Sequence, residues 1–82
     1  MIYKTKGTCS TQIELEIDKD HIIRHVAFTG GCNGNLKGIC RLVTGRNAEE
    51  VADILEGTKC GYKNTSCPDQ LSHAIREALA EL

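Results

Sequence analysis

Aromatic residues are scarce in this chain: 82 residues include one phenylalanine, two tyrosines and no tryptophan. Phe28, Tyr3 and Tyr62 are too few and too scattered to form a base-stacking platform. Neither sign of charge dominates, since ten lysines and arginines against eleven aspartates and glutamates leave a formal net charge of −1. Composition therefore gives no electrostatic reason to expect nucleic acid or a membrane surface as a partner. No apolar run is long enough to span a bilayer, and the opening Met1-Ile2-Tyr3-Lys4-Thr5-Lys6 lacks the pattern of a signal peptide. Cytoplasm is the expected compartment. Missing as well are a Cys-x-x-Cys pair, the dinucleotide and Walker glycine patterns, and any Ser-His-Asp or Cys-His catalytic constellation.

What the chain does have is cysteine, at positions 9, 32, 40, 60 and 67. An odd number of thiols in a cytosolic chain argues against a structural disulfide framework. Apolar residues at 40% and charged residues at 26% describe an ordinary globular chain rather than a disordered one. Its length predicts one domain over residues 1–82. A chain of this size buries only about 60% of its unfolded surface, so its core is marginal, and a metal or a homo-oligomer often supports such folds.

Residues 2–8 are compatible with a first strand. Residues 11–18 alternate, with Ile13, Leu15 and Ile17 on one face and Gln12, Glu14, Glu16 and Asp18 on the other. After a turn at Asp18-Lys19-Asp20, residues 21–29 resume as a strand with Ile22, Val26 and Phe28 inward. Gly30-Gly31-Cys32-Asn33-Gly34-Asn35 then breaks the pattern, and Leu36, Ile39, Cys40 and Val43 recur at helical spacing up to a stop at Gly45. Asn47 and Glu50 open a short second helix that ends at Gly57. Ser66 as N-cap, Pro68 in the first turn and Asp69 three residues after Ser66 open a third, carried by Leu71, Ala74, Ile75, Ala78 and Leu79. Strands first and helices after predict an α+β fold: a three-stranded antiparallel meander followed by three helices.

Cys40 shares a helix face with apolar residues and reads as a small buried hydrophobe. Cys9, Cys32, Cys60 and Cys67 fall in loops or at element ends, where functional residues tend to lie. Cys67 would sit at a helix N-terminus, where the dipole and free N–H groups favour the thiolate that binds metal or attacks disulfides. The glycine-rich loop offers Gly31, Asn33, Gly34 and Asn35 as weak candidates for cradling a phosphate, against the plainer reading that its glycines shape the chain around Cys32. His21 and His25 read as solvated, and His73 lies well round the third helix from Cys67.

The string Thr65-Ser66-Cys67-Pro68-Asp69 resembles the signature of the TSCPD domain family. The resemblance continues through Gly7-Thr8-Cys9-Ser10, Gly30-Gly31-Cys32-Asn33-Gly34-Asn35, Leu42-Val43-Thr44-Gly45, Cys60-Gly61 and Gln70-Leu71. Domains of this family occur alone and at the C-terminus of cobalamin-dependent ribonucleotide reductases. The resemblance implies cysteines of family significance at Cys9, Cys32, Cys60 and Cys67, a link to ribonucleotide reduction, a reductase as partner, and nucleotide binding. It does not imply reductase chemistry, because 82 residues cannot hold a reductase barrel. The order of strands, cysteines and helices is also similar to iron–sulfur cluster scaffold proteins, in which three cysteines meet at one end of a sheet. The expectation is a thiolate metal site built from Cys9, Cys32, Cys60 and Cys67, holding zinc or an iron–sulfur cluster. The rival is a dithiol carrier using Cys60 and Cys67.

Overall fold

The computed structural model describes residues 1–31 and 33–82, with the backbone alone at residue 33. Three strands, β1 (Ile2–Lys4), β2 (Ser10–Ile17) and β3 (Ile23–Gly30), precede three helices, α1 (Asn33–Val43), α2 (Ala48–Leu55) and α3 (Cys67–Ala80). The strands form one antiparallel sheet in the order β1-β2-β3. α1 lies against β3, α3 against β2, and α2 against α3. This is the α+β arrangement the sequence predicts. Among the described residues no helix is long and apolar enough to cross a membrane.

The alternation of β2 is realised directly: Ile13 and Leu15 are fully buried and Ile17 packs beside them. β1 is shorter than the expected 2–8. Beyond Lys4 the chain turns, with Gly7 at φ 74° and the Thr5 hydroxyl donating to the Ser10 carbonyl at 2.5 Å. β3 begins at Ile23 rather than at residue 21, because the hairpin turn is longer than its sequence suggests. Asp18 Oδ1 accepts from the N–H groups of Asp20 at 2.9 Å and Ile22 at 3.0 Å, and His21 takes φ 63°.

That turn corrects the inward face of β3. Ile17 pairs with Ile23 while Glu16 pairs with His25, so Arg24 is an extra residue in the ladder, a β-bulge. The bulge turns Ile23 inward to full burial ahead of Val26, and Ile22 instead bridges Asn47 at the edge. A strict period of two cannot register an inserted residue.

The helix signals hold. Asn47 Oδ1 accepts from the Glu50 N–H at 3.0 Å, and Ser66 Oγ from the Asp69 N–H at 3.1 Å. Gly45 ends the α1 connection at φ 90° and donates its N–H to the Ile23 carbonyl at 2.7 Å. α3 buries Leu71, Ala74 and Ile75 against Ile13, Leu15, Ile23 and Val51, and each large side chain so covered contributes about 1.5–3 kcal/mol.

Candidate thiol site

Cys67 is the first residue of α3, and β2 begins at Ser10 beside it; the Ser10 hydroxyl lies 3.2 Å from Cys67 Sγ. The Thr8 hydroxyl is 3.1 Å from the same Ser10 oxygen and also donates to the Ser10 carbonyl at 3.2 Å. Burial pushes the Cys67 thiol up, but hydrogen bonds from the Ser10 side chain and backbone, the Thr8 hydroxyl and the Cys9 thiol more than offset it. The sulfur is held below the usual thiol range, in the direction that the α3 dipole also favours.

Cys9 is exposed, directly precedes Ser10, and its thiol is among the groups that draw the Cys67 thiol down. The glycines after β3 hold that corner. A side chain at Gly31 would meet Leu36 Cδ1 at 2.8 Å and Cys9 Sγ at 3.2 Å, and the backbone there has φ 82°. Gly31 thus shapes the loop against Cys9. Asn33, Gly34 and Asn35 belong to the first turn of α1 rather than to a loop. Cys32, which follows Gly31 and is one of the four expected ligands, lies outside the described residues.

Cys60 is exposed in a separate turn. Its N–H donates to the Thr65 carbonyl at 3.2 Å and its carbonyl accepts from the Lys63 N–H at 3.0 Å. Thr65 in turn meets the Cys9-bearing loop, its Cγ2 3.2 Å from the Cβ position at Gly7. Among the described residues no three His, Cys, Asp or Glu side chains are grouped to hold a metal ion. Of the described cysteines, Cys9 is the one whose thiol helps lower that of Cys67. Cys40 is half-buried against the core, and burial pushes its thiol up, as expected for a packing residue.

Sequence reasoning missed the work of Asp69 and Gln70. Asp69 is not the reciprocal partner of a capping box. The residue is 5% exposed, and its carboxylate accepts from the Gly57 N–H at 2.8 Å and the Thr65 hydroxyl at 2.5 Å, and lies 3.4 Å from His73 Nε2. Gln70 Oε1 accepts from the Lys6 N–H at 3.0 Å, and its Nε2 donates to Thr65 Oγ1 at 3.0 Å. The Ser66 hydroxyl caps α3 and donates to the Thr58 carbonyl at 2.6 Å. The residues around Cys67 therefore tie two loops to the start of α3, one bearing Cys9 and the other Cys60. The polar residues flanking Cys67 and Cys9 were the available signal. A side chain's choice among distant backbone groups is not written in local spacing.

The family model of the TSCPD domain matches residues 1–79. No curated protein and no solved structure matches the chain. The likeness to iron–sulfur scaffolds accordingly rests on the order of elements and cysteines.

Proposed function

Since the chain belongs to the TSCPD domain family, we propose that it is a small thiolate metal-binding module, accessory to ribonucleotide reduction. The observation that supports this reading is the placing of Cys67, a buried sulfur held toward the thiolate, at the start of α3 and 3.2 Å from the hydroxyl of Ser10, the residue that follows Cys9. Thiolates are the ligands zinc prefers in closed structural sites. Cys32 follows Gly31, whose Cβ position abuts Cys9, and Cys60 is carried by the loop that Thr65 ties to α3. Cys9, Cys32, Cys60 and Cys67 are the residues that would hold the metal. Zinc bound by four thiolates would stabilise the fold, because metal binding energy becomes folding energy in a domain of this size. An iron–sulfur cluster is the alternative occupant where fewer than four thiols engage. The accessory role, with a reductase as partner and nucleotide as a further ligand, follows from the family resemblance, and the proposed compartment is the cytoplasm.

In this reading each residue around the sulfur has a task. Ser10 and Thr8 offset the burial of the Cys67 thiolate, the α3 N-terminus stabilises its charge, and Asp69 and Gln70 hold the flanking loops in register with it.

Metal content of anaerobically purified, untagged protein tests the proposal. About one zinc per chain, retained in Cys40→Ser and lost in Cys67→Ser and Cys9→Ser, is the expected result. A brown sample containing iron moves the assignment to a cluster. The placing of Cys67 against Ser10, next in sequence to Cys9, also favours a second reading, a dithiol that closes to a disulfide. Metal-free protein in which Cys9 and Cys67 oxidise and reduce as a pair would establish that reading and overturn the first.

A further inference from the structure

The charge of this chain is nearly balanced in total but divided by position. Residues 1–13 and 57–68 carry Lys4, Lys6, Lys59 and Lys63 and contain no aspartate or glutamate. The fold lays the two segments together through the Lys6–Gln70, Gln70–Thr65 and Gly7–Thr65 contacts. All four lysines are exposed. Among the described residues none of them has an ion-pair partner; Lys4 Nζ donates to Gln12 Oε1 at 2.8 Å. The ion pairs lie elsewhere, joining Arg24 to Asp18, Arg76 to Asp53 and Glu56, and His21 to Glu49. The acids bracketing the second segment are engaged, Glu56 with Arg76 and Asp69 with Gly57, Thr65 and His73. The lysines beside the thiols are therefore free of ion pairs among the described residues.

Tyr62 stands within this face. It is fully exposed, between Lys59 and Lys63, in the turn that the Lys63 N–H closes onto the Cys60 carbonyl. A tyrosine ring without cover is a large, stiff, amphipathic contact surface, and tyrosine is enriched among the residues that dominate protein interfaces. Two features argue against a polynucleotide. Four cations can neutralise only a few phosphates, and one ring makes no stacking platform.

We propose that this face docks an acidic segment of a partner protein. Tyr62 is the apolar anchor, and Lys6, Lys59 and Lys63 pair with the partner's carboxylates. Complementary rim charges of this kind speed encounter and set the orientation of docking, and their contribution falls as salt rises. The docked segment would cover the turn bearing Cys60 and approach the Cys9 loop. The turn that docks is the one held here by Thr65, Asp69 and Gln70.

The test titrates the full chain with a labelled glutamate-rich peptide carrying one central leucine, with its glutamine counterpart, and with a single-stranded oligonucleotide of equal charge. Anisotropy at low and high salt gives affinity, and amide shifts locate the site. The expected result is binding of the glutamate peptide over the glutamine peptide, with shifts confined to residues 4–8 and 58–66. Lys59→Glu with Lys63→Glu weakens it by about tenfold, and Tyr62→Ala weakens it at both salt levels. Lys19→Glu, in the acid-flanked hairpin turn, leaves it unchanged. Absence of binding, equal affinity in the Lys59/Lys63 variant, shifts centred elsewhere, or tighter binding of the oligonucleotide would overturn the proposal.

Discussion

Ser10 and Cys67, 57 residues apart in the chain, meet with 3.2 Å between hydroxyl oxygen and sulfur, the first residue of β2 against the first of α3. The contact couples the chemistry of the thiol to the edge of the sheet. Ser10→Ala removes a hydrogen bond that favours the charged sulfur. Alkylation of Cys67 by iodoacetamide should slow at neutral pH, and the midpoint of its pH–rate profile should move upward. An unchanged profile would mean that the helix start alone governs the sulfur.

Asp69 is the tie between α3 and the loop before it. Burial pushes its carboxyl up, while the Thr65 hydroxyl, the Gly57 N–H and His73 pull it further down, so it titrates below the ordinary aspartate range. A carboxylate depressed on folding contributes stability that is fully present above its unfolded pKa and is lost as pH falls through the folded value. Asp69→Asn should cost about 1–3 kcal/mol at neutral pH. For a domain of this size each kcal/mol lowers the thermal midpoint by roughly 4–8 °C. The gap between wild type and variant should narrow below about pH 4, which urea unfolding at neutral and acid pH would reveal.

Two glycines should respond in opposite directions to alanine. At Gly31 the backbone is left-handed and a Cβ would come within 2.8 Å of Leu36 Cδ1. Gly31→Ala should destabilise by about 1–2 kcal/mol or more and displace Cys9. At Gly38, within α1, a Cβ meets nothing within 4 Å. Gly38→Ala should stabilise by about 0.5–1 kcal/mol. Denaturation midpoints of the two variants give the comparison.

The bulge at Arg24 makes neighbouring isoleucines unequal. Ile23→Val removes a methylene from a fully buried site and should cost about 0.5–1.5 kcal/mol. Ile22→Val, at the bridge to Asn47, should cost less. Equal losses in chemical denaturation would argue against the bulged register.

What could be read from sequence, and what could not, divides along the range of the interactions. The alternation of Ile13, Leu15 and Ile17, the cap at Ser66 and the stop at Gly45 are local rules, and the chain obeys them. Ile23 in place of Ile22 came from one inserted residue, invisible to a strict period. Cys40 was separable from the other thiols because it lay on an apolar helix face. The meeting of Cys67 with Ser10, next to Cys9, depended on how β2 docks against α3. Asp69 looked like a capping residue because the Ser66 cap is local, whereas its own carboxylate reaches back to Gly57 and Thr65.

Cys9 precedes the second strand and Cys67 opens the last helix, so the corner they share needs both ends of the sequence at once. A nascent chain emerging from the ribosome can pair its three strands, yet has no such corner until α3 has been made and has docked. Closing a loop of this length carries an entropic cost that only the finished core repays. A metal taken up at this corner would therefore select chains in which α3 has docked over those in which it has not.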